Sequence, residues 1–291
     1  MKGAAEEKGA QGANARTNAA ASADALTAAP AAVDCGTAIG AQSTFTIIAG
    51  PCAVESRTQL AQVAATVSEL GLHHLRAGAY KPRTSPYSFQ GLGAKALPML
   101  RDVAAEFNLR TVTEICDPAH ADAVADVADI LQIGTRNMAN YALLKTVGRL
   151  AAVRQKPVLL KRGMAATIEE WLQAAEYLRC EDAAVLFCER GIRTFETATR
   201  FTLDVMAVPL VKQLAAATVL VDVSHATGRA DLVPAAARAA LAAGADGIMV
   251  EVHPDPAHAK SDGRQSLTPA QLMQLCAELT PLAVACGKKI V

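Results

Sequence analysis

The sequence predicts a (β/α)8 barrel preceded by a disordered N-terminal extension. Eight short apolar runs alternate with Ala- and Leu-rich segments of helical spacing. The runs are continuously apolar rather than alternating, as strands of a parallel sheet covered on both faces are. Charged or metal-binding residue types follow run after run, at the strand ends where a barrel keeps its chemistry. An open doubly wound sheet is the alternative. It is the weaker reading because no Gly-x-Gly-x-x-Gly follows the first run.

In chain order, residues 1–42 are dominated by Ala with Gly, Asn, Ser and Thr, and branched apolar residues do not recur at any period. Such a segment buries no face and is expected to be disordered. Glu6, Glu7 and Lys8 are followed by no apolar core, unlike a secretory signal, and a transit peptide would carry more Arg and fewer acids. The barrel is expected over 43–291. Its strands are predicted at Phe45–Ala49, His73–Ala77, Leu109–Thr113, Asp129–Ile133, Pro157–Lys161, Ala183–Cys188, Thr218–Val223 and Gly247–Val252. Helices are predicted at Gln59–Leu70, Ala94–Phe107, Tyr141–Val153, Ile168–Leu178 and Leu232–Ala243. Gly71, Asn108 and Gly244 are natural stops just past three of these. Thr167 is a candidate N-cap, because Glu169 and Glu170 follow it into a first turn that favours negative charge.

Composition narrows the function classes. With 52% apolar residues in 291, the chain can build a large core. Lys and Arg total 28 against 28 Asp and Glu, which gives no reason to propose nucleic acid or a membrane surface as partner. No apolar stretch reaches the length of a membrane span. Cysteines at 35, 52, 116, 180, 188, 276 and 286 are odd in number and lack paired spacing, the usage of a reduced, cytoplasmic protein.

Four short motifs hold a full set of divalent-metal ligand types. These are Cys52 after Gly-Pro, His225 after Ser, Glu251 of Val-Glu-Val-His-Pro, and Asp262 of Ser-Asp-Gly. A thiol, an imidazole and two carboxylates make a borderline-soft site for Mn, Fe, Co, Zn or Cu. Only a fold that gathers strand ends from across the chain could assemble them. The same ends carry Arg76, Lys81, Arg83, Arg136, Lys161 and Arg190, with Glu114 after the third strand. So many cations on one rim would repel one another unless an anionic ligand neutralised them, which points to a substrate with more than one phosphate or carboxylate. Taken singly, each residue has a plain reading: an Arg solvated on a loop, a Cys packed as a small apolar group, a His bonded within a turn. Arg162 and Lys212 are read as surface charges, Cys188 as packing, and Cys116 as undecided. It is the repetition after strand upon strand that favours a site.

Residues 45–56 (Phe-Thr-Ile-Ile-Ala-Gly-Pro-Cys-Ala-Val-Glu-Ser), 75–93 (with Lys-Pro-Arg-Thr-Ser-Pro-Tyr-Ser-Phe at 81–89) and 132–137 (Gln-Ile-Gly-Thr-Arg-Asn) carry a family resemblance. Residues 159–163 (Leu-Leu-Lys-Arg-Gly), 188–195 (Cys-Glu-Arg-Gly-Ile-Arg-Thr-Phe), 222–225 (Asp-Val-Ser-His) and 250–254 (Val-Glu-Val-His-Pro) extend it in order. Together they resemble the 3-deoxy-D-arabino-heptulosonate 7-phosphate (DAHP) synthases of the type I-beta branch, over residues 44–291. The resemblance implies a metal-dependent (β/α)8 barrel that condenses phosphoenolpyruvate with erythrose 4-phosphate, opening the shikimate route to aromatic amino acids. It matches Cys52, His225, Glu251 and Asp262 to the metal ligands. Arg136, Lys161 and Arg190 match groups around phosphoenolpyruvate, with Arg76 and Lys81 beside it. Arg83 and Thr84 match groups at the sugar phosphate, where Ser85 and Ser88 are further candidates.

These matches give an expected chemistry. Lys81 is the candidate proton donor to the new alkoxide, and Glu114 the candidate for orienting water. A homo-oligomer, dimer or tetramer, is expected. Many relatives carry a fused regulatory domain; here only the Ala-rich segment precedes the barrel, so feedback control is expected to need a separate partner or an interface. Three other readings stay open: 3-deoxy-manno-octulosonate 8-phosphate synthase, which takes arabinose 5-phosphate; a Schiff-base aldolase using Lys161; and a non-catalytic sensor of phosphorylated metabolites.

Overall fold

The computed structural model describes residues 39–41 and 43–291. The extension expected over 1–42 thus lies outside the described residues, except for 39–41. Of these, Ile39 is buried among the side chains that fill the barrel.

Eight parallel strands run β1 (Thr44–Gly50), β2 (His74–Arg76), β3 (Arg110–Glu114), β4 (Ile130–Ile133), β5 (Val158–Lys161), β6 (Val185–Glu189), β7 (Val219–Asp222) and β8 (Gly247–Glu251). Each pairs with the next, and β1 pairs with both β8 and β2, which closes the barrel. A two-residue β9 (Lys289–Ile290) joins the start of β1 in parallel, placing Lys289 beside Thr44. The helices are α1 (Arg57–Glu69), α2 (Ala96–Glu106), α3 (Ala121–Ala125), α4 (Tyr141–Arg154), α5 (Ile168–Arg179), α6 (Ala207–Ala215), α7 (Val223–Thr227), α8 (Val233–Ala242) and α9 (Pro269–Ala285).

Local chemistry sets the helix ends. The Ser56 hydroxyl accepts the Gln59 N–H at 3.1 Å to start α1. Thr167 and Glu170 form a reciprocal capping box on α5, as do Thr268 and Gln271 on α9. Gly71 and Asn108 take left-handed φ of 68° and 53° just past α1 and α2, the backbone that ends a helix.

The strands bury two layers. Leu131, Ile133, Leu160, Phe187, Val221 and Val250 face outward and pack under the helices. Ile48, Val112, Ile130, Leu159, Leu186, Leu220 and Met249 face inward with Ile39 and Cys188 and fill the barrel. Each such side chain contributes roughly 1.5–3 kcal/mol on burial, so the filled interior is a large part of the stability. Side chains alternate along a strand. Two residues beyond each inward apolar group the wall therefore points inward again: Glu114 after Val112, Gln132 after Ile130, Lys161 after Leu159, Asp222 after Leu220 and Glu251 after Met249.

Of the two charges read as surface groups, Arg162 is buried, while Lys212 stays partly exposed and paired. Arg162 is 3% exposed. It donates to Glu189 at 3.0 Å, to Asp204 at 2.8 Å and to the Ala166 carbonyl at 3.0 Å. Being one residue past Lys161, it points outward into the helix layer, where Glu189 on the next strand meets it. Lys212 on α6 donates to Asp246 at 2.6 Å and to the Gly244 carbonyl at 3.0 Å, tying its helix to the turn before β8. Cys188, read as packing, does lie in the barrel interior. Among the described residues, no helix is long and apolar enough to cross a membrane.

Candidate active site

The four expected ligands meet at the C-terminal rim. One donor atom from each of Cys52, His225, Glu251 and Asp262 falls within 4.8 Å of the others. Cys52 continues the inward register of Ile48 into the loop after β1. Glu251 ends β8, and Asp262 sits in the loop beyond it with a left-handed φ of 52°, a backbone region Asp tolerates better than most residues.

His225 is aimed by its neighbour on β7. The Asp222 carboxylate caps α7 by accepting the His225 N–H at 2.9 Å, and its second oxygen takes Nδ1 of the same residue at 2.8 Å. With the Nδ1 proton committed there, the unprotonated Nε2 faces the centre of the cluster, 3.3 Å from Glu251 and 3.9 Å from Asp262. Burial holds the imidazole down at about 4, against the pull of Asp222 and Glu251, so it is neutral near pH 7, the form a metal needs.

The other donors are equally constrained. Glu251 accepts Arg76 at 2.7 Å on one oxygen and the Gln265 amide at 2.7 Å on the other. Burial raises its carboxyl, but His225, Arg76 and Lys81 outweigh that and leave it below its ordinary value. Asp262 receives Lys81 at 2.8 Å, Arg200 at 3.2 Å and the Cys52 thiol at 3.0 Å. Its carboxyl is well below the usual range, because Lys81 and His225 overcome the cost of burial. Burial, followed by Glu251, pushes the Cys52 thiol up to about 12. A divalent cation would reverse that, since a coordinated thiol is deprotonated. An imidazole, a thiol and two carboxylates converging on one point, with Cys52 and Glu251 buried, fit such a cation.

His225 and Asp262 of the cluster line a cavity of about 450 Å³, while Cys52 and Glu251 are buried. Arg76, Lys81, Arg83, Thr84, Glu114, Arg136, Lys161 and Arg190 all line it, with Ser85 and Ser88 at its edge. Lys81 also contacts the Cys52 sulfur. Burial tends to lower the Lys81 ammonium, but Cys52, Glu251 and Asp262 raise it overall, so it is held as a cation. Lys161 is fixed by a direct contact to Asp222. Arg190 lies flat on Phe201, 3.6 Å from the ring centre. Its hydrogen bonds go to the carbonyls of Gly191 and His225 at 3.4 and 3.5 Å. Burial, reinforced by Arg200, lowers it to about 10, still a cation at neutral pH. Glu114 accepts the Gln132 amide at 3.1 Å. Gly134 makes room for that carboxylate, since a Cβ there would stand 2.0 Å from Glu114 Oε1.

Sequence reasoning passed over Asp222, Gln132, Gln265, Arg193 and Arg200, though the first three bond site residues directly and both arginines line the cavity. Asp222 and Gln132 had a usable signal: they hold the inward register just past Leu220 and Ile130. Arg193, Arg200 and Gln265 sit on loops with no period to read. Cys116, left undecided, is half-buried; burial and then Glu114 push its thiol up.

Known proteins share this arrangement of sequence and fold. A phospho-2-dehydro-3-deoxyheptonate aldolase of Thermotoga maritima is 52% identical over 247 residues, covering 84% of this chain and 72% of its own. A crystal structure of a Thermotoga maritima phospho-2-dehydro-3-deoxyheptonate aldolase (DAHP synthase) superposes with a TM-score of 0.82 at 51% identity, covering 86% of this chain and 72% of that one. A 2-dehydro-3-deoxyphosphooctonate aldolase of Bradyrhizobium sp. (strain ORS 278) is 31% identical over 267 residues, covering 84% of this chain and 90% of its own. Residues 18–285 match the DAHP synthetase I family model, and with 52% identity over 247 residues to the Thermotoga maritima aldolase, the chain belongs to that family.

Proposed function

We propose that this chain condenses phosphoenolpyruvate with erythrose 4-phosphate to give 3-deoxy-D-arabino-heptulosonate 7-phosphate and inorganic phosphate, the first step of the shikimate pathway. One observation carries the reading: the cations expected to hold two phosphorylated substrates line one cavity together with His225 and Asp262 of the four-donor cluster. The stronger likeness to the heptonate enzyme than to the octonate one, 52% against 31% identity, favours the four-carbon sugar.

Cys52, His225, Glu251 and Asp262 would hold a divalent ion, whose chemistry when bound is Lewis acidity toward the aldehyde oxygen. Mn and Co are the ions to try first, with Fe, Zn and Cu open. Arg190, Lys161 and Arg136 bind the phosphoenolpyruvate anion, with Arg76 and Lys81 beside it. Arg190 suits the task because its bonds to carbonyls leave its charge unneutralised. Arg83 and Thr84 hold the sugar phosphate. This preorganised cationic wall keeps two repelling anions in contact, so that C3 of phosphoenolpyruvate reaches the aldehyde carbon. Lys81, held protonated, donates to the new alkoxide. Glu114 orients the water that adds at C2 before phosphate leaves by C–O cleavage. A homo-oligomer in the cytoplasm is the expected state; Met206, Leu210 and Leu214 on one side of α6 are exposed apolar groups of the kind subunits cover.

Phosphate release from phosphoenolpyruvate tests the proposal. Turnover is expected with erythrose 4-phosphate, abolished by chelator and restored by Mn or Co. Preference for arabinose 5-phosphate would favour the octulosonate reaction, and a borohydride-trapped adduct on Lys161 would favour the Schiff-base route.

A further inference from the structure

The ligand Asp262 lies 210 residues from Cys52, on a loop with no strand to fix it. Between the end of β8 and Asp262 the chain makes only a short 3-10 turn at Pro256–His258. Beyond Asp262 the chain is tied back to β8 by Leu267, whose N–H donates to the Glu251 carbonyl at 2.8 Å; the approach from β8 is held from outside the loop.

The structure assigns that role to Glu55, which we propose as a positioning residue for the metal site. Glu55 follows Cys52 by three residues. Its Oε1 accepts the backbone N–H of Lys260 at 2.8 Å, two residues before Asp262. The same oxygen faces Nε2 of His253 at 3.5 Å, at the root of the loop. Both side chains are buried, 8% exposed for His253 and 11% for Glu55. Nδ1 of His253 accepts the Asp255 N–H at 3.0 Å. The neutral imidazole therefore carries its proton on Nε2, toward Glu55. The backbone of Glu55 is held in turn, its N–H donating to the Gln59 side chain on α1 at 3.4 Å.

One carboxylate thus ties the segment bearing Cys52 to the loop bearing Asp262 through the Lys260 N–H, with His253 beside it at 3.5 Å. It touches neither ligand and no substrate-binding group. Its effect is on the separation of two donors, which a metal reads as affinity and geometry. Partners of this kind, one step removed from a metal, typically change affinity by roughly 10–100-fold when lost. The inference rests on the four-donor cluster being a metal site.

Co(II) titration of the apo-protein tests it, read by the thiolate-to-cobalt charge-transfer band and the d–d spectrum, with melting of the apo-form as the check on folding. Glu55→Gln keeps an oxygen for the Lys260 N–H and is expected to bind within about threefold of the unaltered protein. Glu55→Asp, one methylene short, and Glu55→Ala are expected to bind roughly 10–100-fold more weakly with an altered d–d spectrum. Glu55→Asp decides the matter if Glu55→Ala does not fold. Wild-type affinity and spectrum in a folded Glu55→Asp would overturn the inference, as would equal weakening in Glu55→Gln. If the unaltered protein binds no Co(II), the metal reading itself fails and takes this inference with it.

Discussion

Leu159 and Lys161 lie on the same strand, face the same way, and stand two residues apart; so do Leu220 and Asp222, and Met249 and Glu251. Below, the inward groups are apolar and pack on Ile39. Above, they are charged: Lys161 lines the cavity, and Asp222 and Glu251 are fully buried against Lys161 and Arg76. The lower layer gains stability by excluding water. The upper layer holds ions out of water, which is costly unless each is paired. Lys161 with Asp222, and Arg76 with Glu251, are such pairs, almost fully buried. One register thus gives the barrel its strength at one end and its chemistry at the other, and perturbations should separate the two.

The largest effect is expected at the seam of the upper layer. Asp222→Ala leaves the Lys161 ammonium and the His225 ring without the carboxylate that holds both. It should cost roughly 3–5 kcal/mol in urea unfolding and abolish turnover. Replacing the pair together, as Lys161→Met with Asp222→Leu, should recover most of the stability and none of the activity. A double variant as unstable as Asp222→Ala would mean the pair contributes net stability, against the comparison.

One layer down, Leu159→Ala should cost about 2–5 kcal/mol through lost burial and the cavity left behind. Its Michaelis constants should stay near wild type below the melting range. A kinetic defect larger than the stability defect would show that the layers are not separable.

Acid should act on the lower end through His74. Burial, with His73 and Arg110 adding to it, lowers this residue to about 4. Between pH 6.5 and about 4 the unfolded chain takes up a proton that the folded chain refuses. Stability should therefore fall as pH drops through that window, by on the order of 2–3 kcal/mol for this group. Unfolding free energies of the wild type and His74→Gln, measured at pH 7 and pH 5, should converge toward the acid side. Parallel curves would exclude His74 as the source.

The smallest change in free energy is expected at the cavity mouth. Arg83→Ala should raise the Michaelis constant for erythrose 4-phosphate roughly 10–100-fold, the loss of one charged hydrogen-bonding group. Phosphoenolpyruvate should be much less affected. Equal effects on both substrates would remove Arg83 from the sugar-phosphate site.

The sequence by itself determined the strand series, the helix stops and the candidate ligand types. These are local matters: apolar runs, Gly71 and Asn108 at left-handed turns, the Thr167 cap, and polar groups at strand ends. Tertiary structure decided which side each polar group faces and what it meets. Arg162 and Lys161 are neighbours in sequence, yet one is clamped in the helix layer by Glu189 and Asp204 while the other lines the cavity. Asp222 joins Lys161 to His225, and Glu55 reaches Lys260 across 205 residues of chain. No motif encodes the long-range meetings. Barrel curvature brings Lys161 and Asp222, on strands two apart, to one point, and barrel closure sets β1 beside β8, so that the loops after both strands meet.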